Sequence, residues 1–133
     1  MRGGLFTALS SGFVSLDAQR PWICYWTTHG LDLLGHELSP EEKVKVIRLL
    51  GLCQSSDGGF GGGPGQLPHL APTFAAVCTL ITLGTKEAYE MINRPKLLKW
   101  LLRLKQPDGS CIMHQDGEVD LRCDLFSCEL RCG

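Results

Sequence analysis

Apolar residues recur along the chain at helical spacing in successive blocks, and the blocks alternate in character. From Pro21 to about Leu34, Trp22, Trp26, His29 and Leu33 fall at i, i+4, i+7 and i+11, which puts two indoles and an imidazole on one helix face. Ser39-Pro40-Glu41-Glu42 then carries the marks of a helix start: a capping serine, proline in the first turn and a glutamate placed to complete a capping box. That helix is expected to run to about Gln54, with Val46, Leu49, Leu50 and Cys53 inward and Lys43, Lys45 and Arg48 outward. The stretch from Pro72 to about Thr82 is almost free of charge, so it predicts a helix buried on more than one side. Gly84 stops it, and a short helix KEAYEMI follows. Asn93-Arg94-Pro95 restarts the chain into KLLKWLLRLKQ, where Leu97, Leu101 and Leu104 form one stripe and Lys96, Lys99 and Arg103 another. Residues 5–16, broken by Ser10, Ser11 and Gly12, predict only a frayed helix. The reading is all-α.

Between the second and third blocks lies QSSDGGFGGGPGQLPHLAPTFAA, with six glycines between Asp57 and Gln66. Each glycine costs a helix about 1 kcal/mol against alanine, so this segment predicts a loop that delivers the start of the next helix to a fixed place. No frame of it fits G-x-G-x-x-G and no Gly-Lys-Ser/Thr follows, which sets aside a phosphate cradle. Laying the blocks side by side exposes a repeat. Gln54-Ser-Ser-Asp57-Gly58 closes one amphipathic helix and Gln106-Pro-Asp108-Gly109 the next, the two glutamines 52 positions apart, while Trp22 stands 51 before Thr73. A period of this length predicts stacked helix pairs, one charged outer helix and one apolar inner helix per unit, with apolar surface left for further units.

Composition narrows the picture. The chain has 133 residues, 44% of them hydrophobic, enough for one modest domain. Thirteen basic against 14 acidic residues give a net charge of −1, which does not advertise nucleic acid as a partner. No apolar run is long enough for a membrane span, and residues 1–16 lack the apolar core and cleavage site of a clear secretory signal. Seven cysteines, an odd number, the first three within helical patterns, predict reduced buried thiols in a cytoplasmic protein.

Candidate chemistry is sparse. Trp22 and Trp26 suit either a core or the apolar wall of a ligand cavity. His69 and His114 stand in polar loops, as solvated residues or as functional ones. Cys111-x-x-His114 with Asp116, Asp120 and Cys123 holds zinc-type ligand residues without a C-x-x-C or H-x-x-x-H pair, so a zinc site in this chain is not expected. No spacing selects a nucleophile and base.

The segments RPWICYW, CQSSDGGFGGGPGQLPHLAPTFAAV, INRPKLLKWLLRLKQPDGS and MHQDGEVDLR resemble the β subunits of protein farnesyltransferases over roughly residues 5–122. The resemblance implies an incomplete α/α toroid of inner and outer helix pairs, of the prenyltransferase and terpene cyclase kind, in residues 1–122, followed by a divergent cysteine-rich tail in residues 123–133. It implies transfer of farnesyl from farnesyl diphosphate to the cysteine of a C-terminal C-a-a-X motif, with zinc and magnesium as cofactors and a helical α subunit as partner. Carried over by position, Trp22 and Trp26 wall the pocket for the aliphatic motif residues. Ala18, His69, Ala71 and Pro72 stand beside the motif's last residue, and Arg122 lines the site. Gln19 takes the place of a smaller serine there. The family's zinc ligands and diphosphate-holding residues belong beyond Arg122, where this chain reads CDLFSCELRCG, so Cys123, Cys128 and Cys132 are not expected to inherit a ligand role. The expectation is a partial β subunit, truncated at both ends, that keeps half a peptide pocket and does not catalyse alone. The alternatives are a non-catalytic fragment that binds the α subunit or C-a-a-X tails, and a terpene cyclase, against which the missing D-x-D-D motif argues.

Overall fold

The computed structural model describes residues 16–120. The frayed helix expected over residues 5–16, apart from its last residue, lies outside them, as do Arg122 and the tail of residues 123–133. Five helices follow in order: α1 (Arg20–Leu33), α2 (Pro40–Cys53), α3 (Leu70–Leu83), α4 (Lys86–Met91) and α5 (Arg94–Leu104). Among the described residues there are only isolated β-bridges and no strands.

Each helix begins where its local chemistry satisfies free N–H groups. At α2 the Glu42 N–H donates to the Ser39 hydroxyl and the Ser39 N–H to the Glu42 carboxylate at 2.9 Å, the reciprocal box that the sequence predicts. Thr85 and Asn93 cap α4 and α5 through their side chains. Gly84 ends α3 at φ 64°, a left-handed turn that glycine adopts without the Cβ penalty. The third helix starts two residues before the expected Pro72, because His69 caps it; the Ala71 N–H donates to His69 Nδ1 at 3.1 Å.

The core lies between α1 and α3, the most closely apposed pair, and the amphipathic helices that cover them. Pro21, Cys24 and Thr28 form the buried stripe of α1. α3 buries nine of its residues, as its near absence of charge demands. α2 contributes Val46, Ile47, Leu50 and Cys53, and α5 contributes Leu97, Trp100, Leu101 and Leu104. Both α1 and α3 start beside the glycine loop, and Thr28 and Asp32 of one line a cleft with Thr82 and Leu83 of the other, so the two run parallel.

The repeat is real, and its register is set by backbone hydrogen bonds. The bridge Gln54↔Phe60 recurs as Lys105↔Cys111, and Gly61 N–H to Cys53 C=O recurs as Ile112 N–H to Leu104 C=O. Gly58 and Gly109 both have positive φ, 111° and 90°. The offset is 51 residues, the spacing of Trp22 and Thr73; the two glutamines, 52 apart, are not equivalent positions, since Ser55 takes the place of Gln106. Cys24, Cys53 and Cys78 are free thiols as expected, whereas Cys111 is disulfide-bonded and departs from that expectation.

Candidate peptide-binding surface

The glycine loop joins three helix ends. Gly61 N–H donates to Cys53 C=O at the end of α2, and Arg20 N–H donates to Gly62 C=O at 2.8 Å at the start of α1. His69 N–H donates to Phe60 C=O at 3.0 Å at the start of α3. Approach is so close that a Cβ on Gly62 would stand 1.9 Å from the Ala18 carbonyl oxygen, and one on Gly59 2.7 Å from the Trp100 ring. The glycines therefore serve close backbone passage, which no other residue allows.

What the loop positions is a continuous aromatic surface. Trp22 and Trp26 stack at 5.4 Å, and Trp22 meets Tyr25 edge-on at 5.8 Å. Phe74 of α3 lies 6.3 Å from Trp22 and 6.1 Å from Tyr25, so it carries the surface across from α1 to α3. His29 joins through Tyr25, stacked at 5.4 Å, rather than by contact with Trp26. On α3 the residues left partly open are Ala71, Phe74, Cys78 and Ile81, a helical stripe at i, i+3, i+7 and i+10, together with Thr82 near the helix end. Trp26 is 58% exposed. A large apolar side chain this open, stacked on half-buried Trp22, extends a surface suited to an apolar ligand chain.

Of the residues singled out from the sequence, His69, Ala71 and Pro72 share the first turn of α3, Ala71 half-buried and Pro72 buried. Ala18 is exposed in the short 3-10 turn of residues 16–19, held against Gly62. Arg20 closes that turn by donating to the Asp17 carboxylate, through Nε at 3.0 Å. Gln19 caps α1 by position alone; its side chain makes no cap hydrogen bond. Arg122 lies outside the described residues. His69 is a capping residue whose ring packs 5.5 Å from that of His114. His114 comes from the second repeat's loop, which also binds α3 through Leu70 N–H to Met113 C=O. Its Nδ1 contacts the Gln115 carbonyl at 2.9 Å and its Nε2 lies 3.6 Å from the Glu118 carboxylate. Nothing in the sequence marks Tyr25, Phe74 or Thr73 as site residues, although Phe74 stands one helical turn after Ala71.

Of the zinc-type residues around Cys111 and His114, Cys123 lies outside the described residues. Cys111 is disulfide-bonded, which removes its thiolate, and among the described residues no group of three histidine, cysteine or acidic side chains could hold an ion. Burial pushes the Cys24 thiol up to about 12, with Cys53 nearby adding to it, and pushes Cys53 up to about 11. Both are inert packing residues at neutral pH.

Parallel apolar helices, amphipathic helices outside them and a 51-residue structural repeat describe a toroid repeat array, and the sequence matches the prenyltransferase alpha-alpha toroid domain over residues 2–131; the chain belongs to that family. Within it the similarity is to protein farnesyltransferase β subunits. The chain is 52% identical to that of Arabidopsis thaliana over 114 residues, covering 86% of this chain and 24% of the relative. It is 48% identical to that of Pisum sativum over 103 residues, covering 77% and 25%. For Saccharomyces cerevisiae the figures are 38% over 120 residues, 86% and 27%. The chain thus spans about a quarter of the length of these relatives.

Proposed function

We propose that the chain forms part of the β subunit of a protein farnesyltransferase, and that residues 16–120 supply one wall of the pocket for the C-terminal C-a-a-X segment of the substrate protein. In the reaction the cysteine sulfur bonds to C1 of the farnesyl group as the C1–O bond breaks and diphosphate leaves. The aliphatic motif residues lie against Trp22, Trp26 and Phe74, and the terminal residue near Ala18, Gln19, His69, Ala71 and Pro72. The zinc and magnesium of the reaction are held by residues other than 16–120, and Arg122 lines the same pocket. The partner is a farnesyltransferase α subunit, in the cytoplasm; among the described residues no helix is long and apolar enough to cross a membrane.

The observation that carries this reading is the aromatic surface shared by α1 and α3 at the ends fixed by the glycine loop. Burying one aliphatic side chain contributes about 1.5–3 kcal/mol, so two motif residues on this wall contribute about 3–6 kcal/mol of the roughly 8 kcal/mol that a micromolar contact requires. The test combines the chain with α subunit, zinc, farnesyl diphosphate and a dansylated C-a-a-X peptide, and reads energy transfer from tryptophan to dansyl together with farnesyl incorporation. Saturable transfer, competed by unlabelled C-a-a-X peptide and abolished when the cysteine-to-terminus segment is scrambled, supports the reading. No saturable transfer overturns it.

A further inference from the structure

Thr73 is fully buried, and its hydroxyl links the glycine loop to the start of α3. It accepts from the Phe60 N–H at 2.9 Å and donates to the His69 carbonyl at 2.8 Å. The Phe60 carbonyl in turn accepts from the His69 N–H, closing a ring of three residues around one hydroxyl. Two residues on, Gly62 C=O holds Arg20 N–H, the first residue of α1. The Ala18–Arg20 turn and the His69–Pro72 turn are thus both hydrogen-bonded to the glycine loop, one through Gly62 and the other through Phe60 and Thr73. Thr73 itself faces the core, so it meets no ligand.

We infer that Thr73 is a positioning residue for recognition of the substrate's terminal residue: its hydroxyl fixes the His69 turn relative to the Ala18 turn. The inference rests on the peptide-pocket reading above. A valine at this position keeps the shape but leaves the Phe60 N–H without its acceptor, in a place closed to water. The turn then relaxes and the two sides of the terminal subsite lose their fixed spacing. A serine keeps the hydroxyl and the spacing.

The experiment compares wild type, Thr73→Val and Thr73→Ser, each complexed with α subunit and farnesyl diphosphate, for binding of C-a-a-X peptides that differ only in the last residue. Two quantities are read: the spread of affinities across the series, and the 15N shifts of the His69 imidazole, which report whether Nδ1 still accepts from Ala71. Thr73→Val is expected to compress the spread about tenfold, the effect of one buried hydrogen bond, and to shift His69, while Thr73→Ser stays within about twofold of wild type. A purely structural role would lower the melting temperature and weaken all peptides equally, and an unchanged spread in Thr73→Val overturns the inference while leaving the pocket reading intact. Wild type that binds none of the peptides overturns the pocket reading and this inference with it. Should Thr73→Val fail to fold, Thr73→Cys, close in size and a weaker acceptor, must compress the same spread in part, and an unchanged spread there is equally fatal.

Discussion

Replacing Gly62 by alanine attacks the point where the loop and α1 meet. The added Cβ would stand 1.9 Å from the Ala18 carbonyl oxygen and 2.7 Å from its carbonyl carbon. Ordinary carbon–oxygen contacts begin near 3.3 Å, so one backbone must retreat by about 1.4 Å. The Arg20 N–H to Gly62 C=O bond, 2.8 Å long, cannot follow such a move and stay within hydrogen-bonding range. Overpacking of this kind costs about 1–3 kcal/mol and the lost bond about 0.5–1.5 kcal/mol, together roughly 2–4 kcal/mol. For a domain of this size that is a fall of roughly 10 °C in melting temperature, read by circular dichroism at 222 nm. Gly30→Ala is the matched control: the position is helical and nothing stands within 4 Å of its Cβ, so it should gain about 0.5–1 kcal/mol. A Gly62→Ala protein as stable as wild type would show that the close passage of the loop under Ala18 is not what holds α1.

Ser39→Ala removes the acceptor of the capping box and should cost about 1 kcal/mol in urea denaturation, with an unchanged denaturant dependence. Trp26→Ala removes a side chain already 58% exposed, so it should change stability by less than about 1 kcal/mol while weakening C-a-a-X peptide binding about tenfold, as fluorescence titration would show. Iodoacetamide at pH 8 followed by mass spectrometry should modify half-buried Cys78 in the native chain and spare Cys24 and Cys53. Because burial raises both of those thiols above the ordinary value of 9.0, the unfolded chain loses these protons first. Their stabilising effect is complete below about pH 9 and declines towards pH 11–12, by about 1.4 kcal/mol per pH unit per thiol, which pH-dependent urea titrations would measure.

Sequence pattern made most of the fold legible, because the signals were local. Ser39 and Glu42 sit three residues apart in the chain and in the cap, and the Leu97, Leu101 and Leu104 stripe is buried as its spacing requires. α3 starts two residues before the expected Pro72, since Pro72 is a favoured first-turn residue whereas a histidine ring nitrogen capping the backbone leaves no trace in hydrophobic periodicity. The repeat is legible in the sequence, but the spacing of the two glutamines overshoots its period by one, because glutamine identity is a weaker marker than the backbone pairing that repeats at 51. For the site, Trp22 and Trp26 declared themselves by i, i+4 spacing. Phe74 and Thr73 did not: each matters through a residue from another part of the chain, Trp22 for one and Phe60 for the other. The pairing of His69 with His114 likewise joins two loops that only the stacking of repeats brings together.

The central claim is that the Trp22/Trp26/Phe74 surface receives the C-terminal segment of a protein substrate. A C-a-a-X peptide carrying a benzophenone on one aliphatic motif residue, irradiated with the chain and α subunit in the presence of farnesyl diphosphate, tests it most directly. The account predicts crosslinks, mapped by tandem mass spectrometry, to Trp22, Trp26 or residues 69–74. Crosslinks confined to the outward faces of α2 and α5, or to α subunit alone, would contradict it.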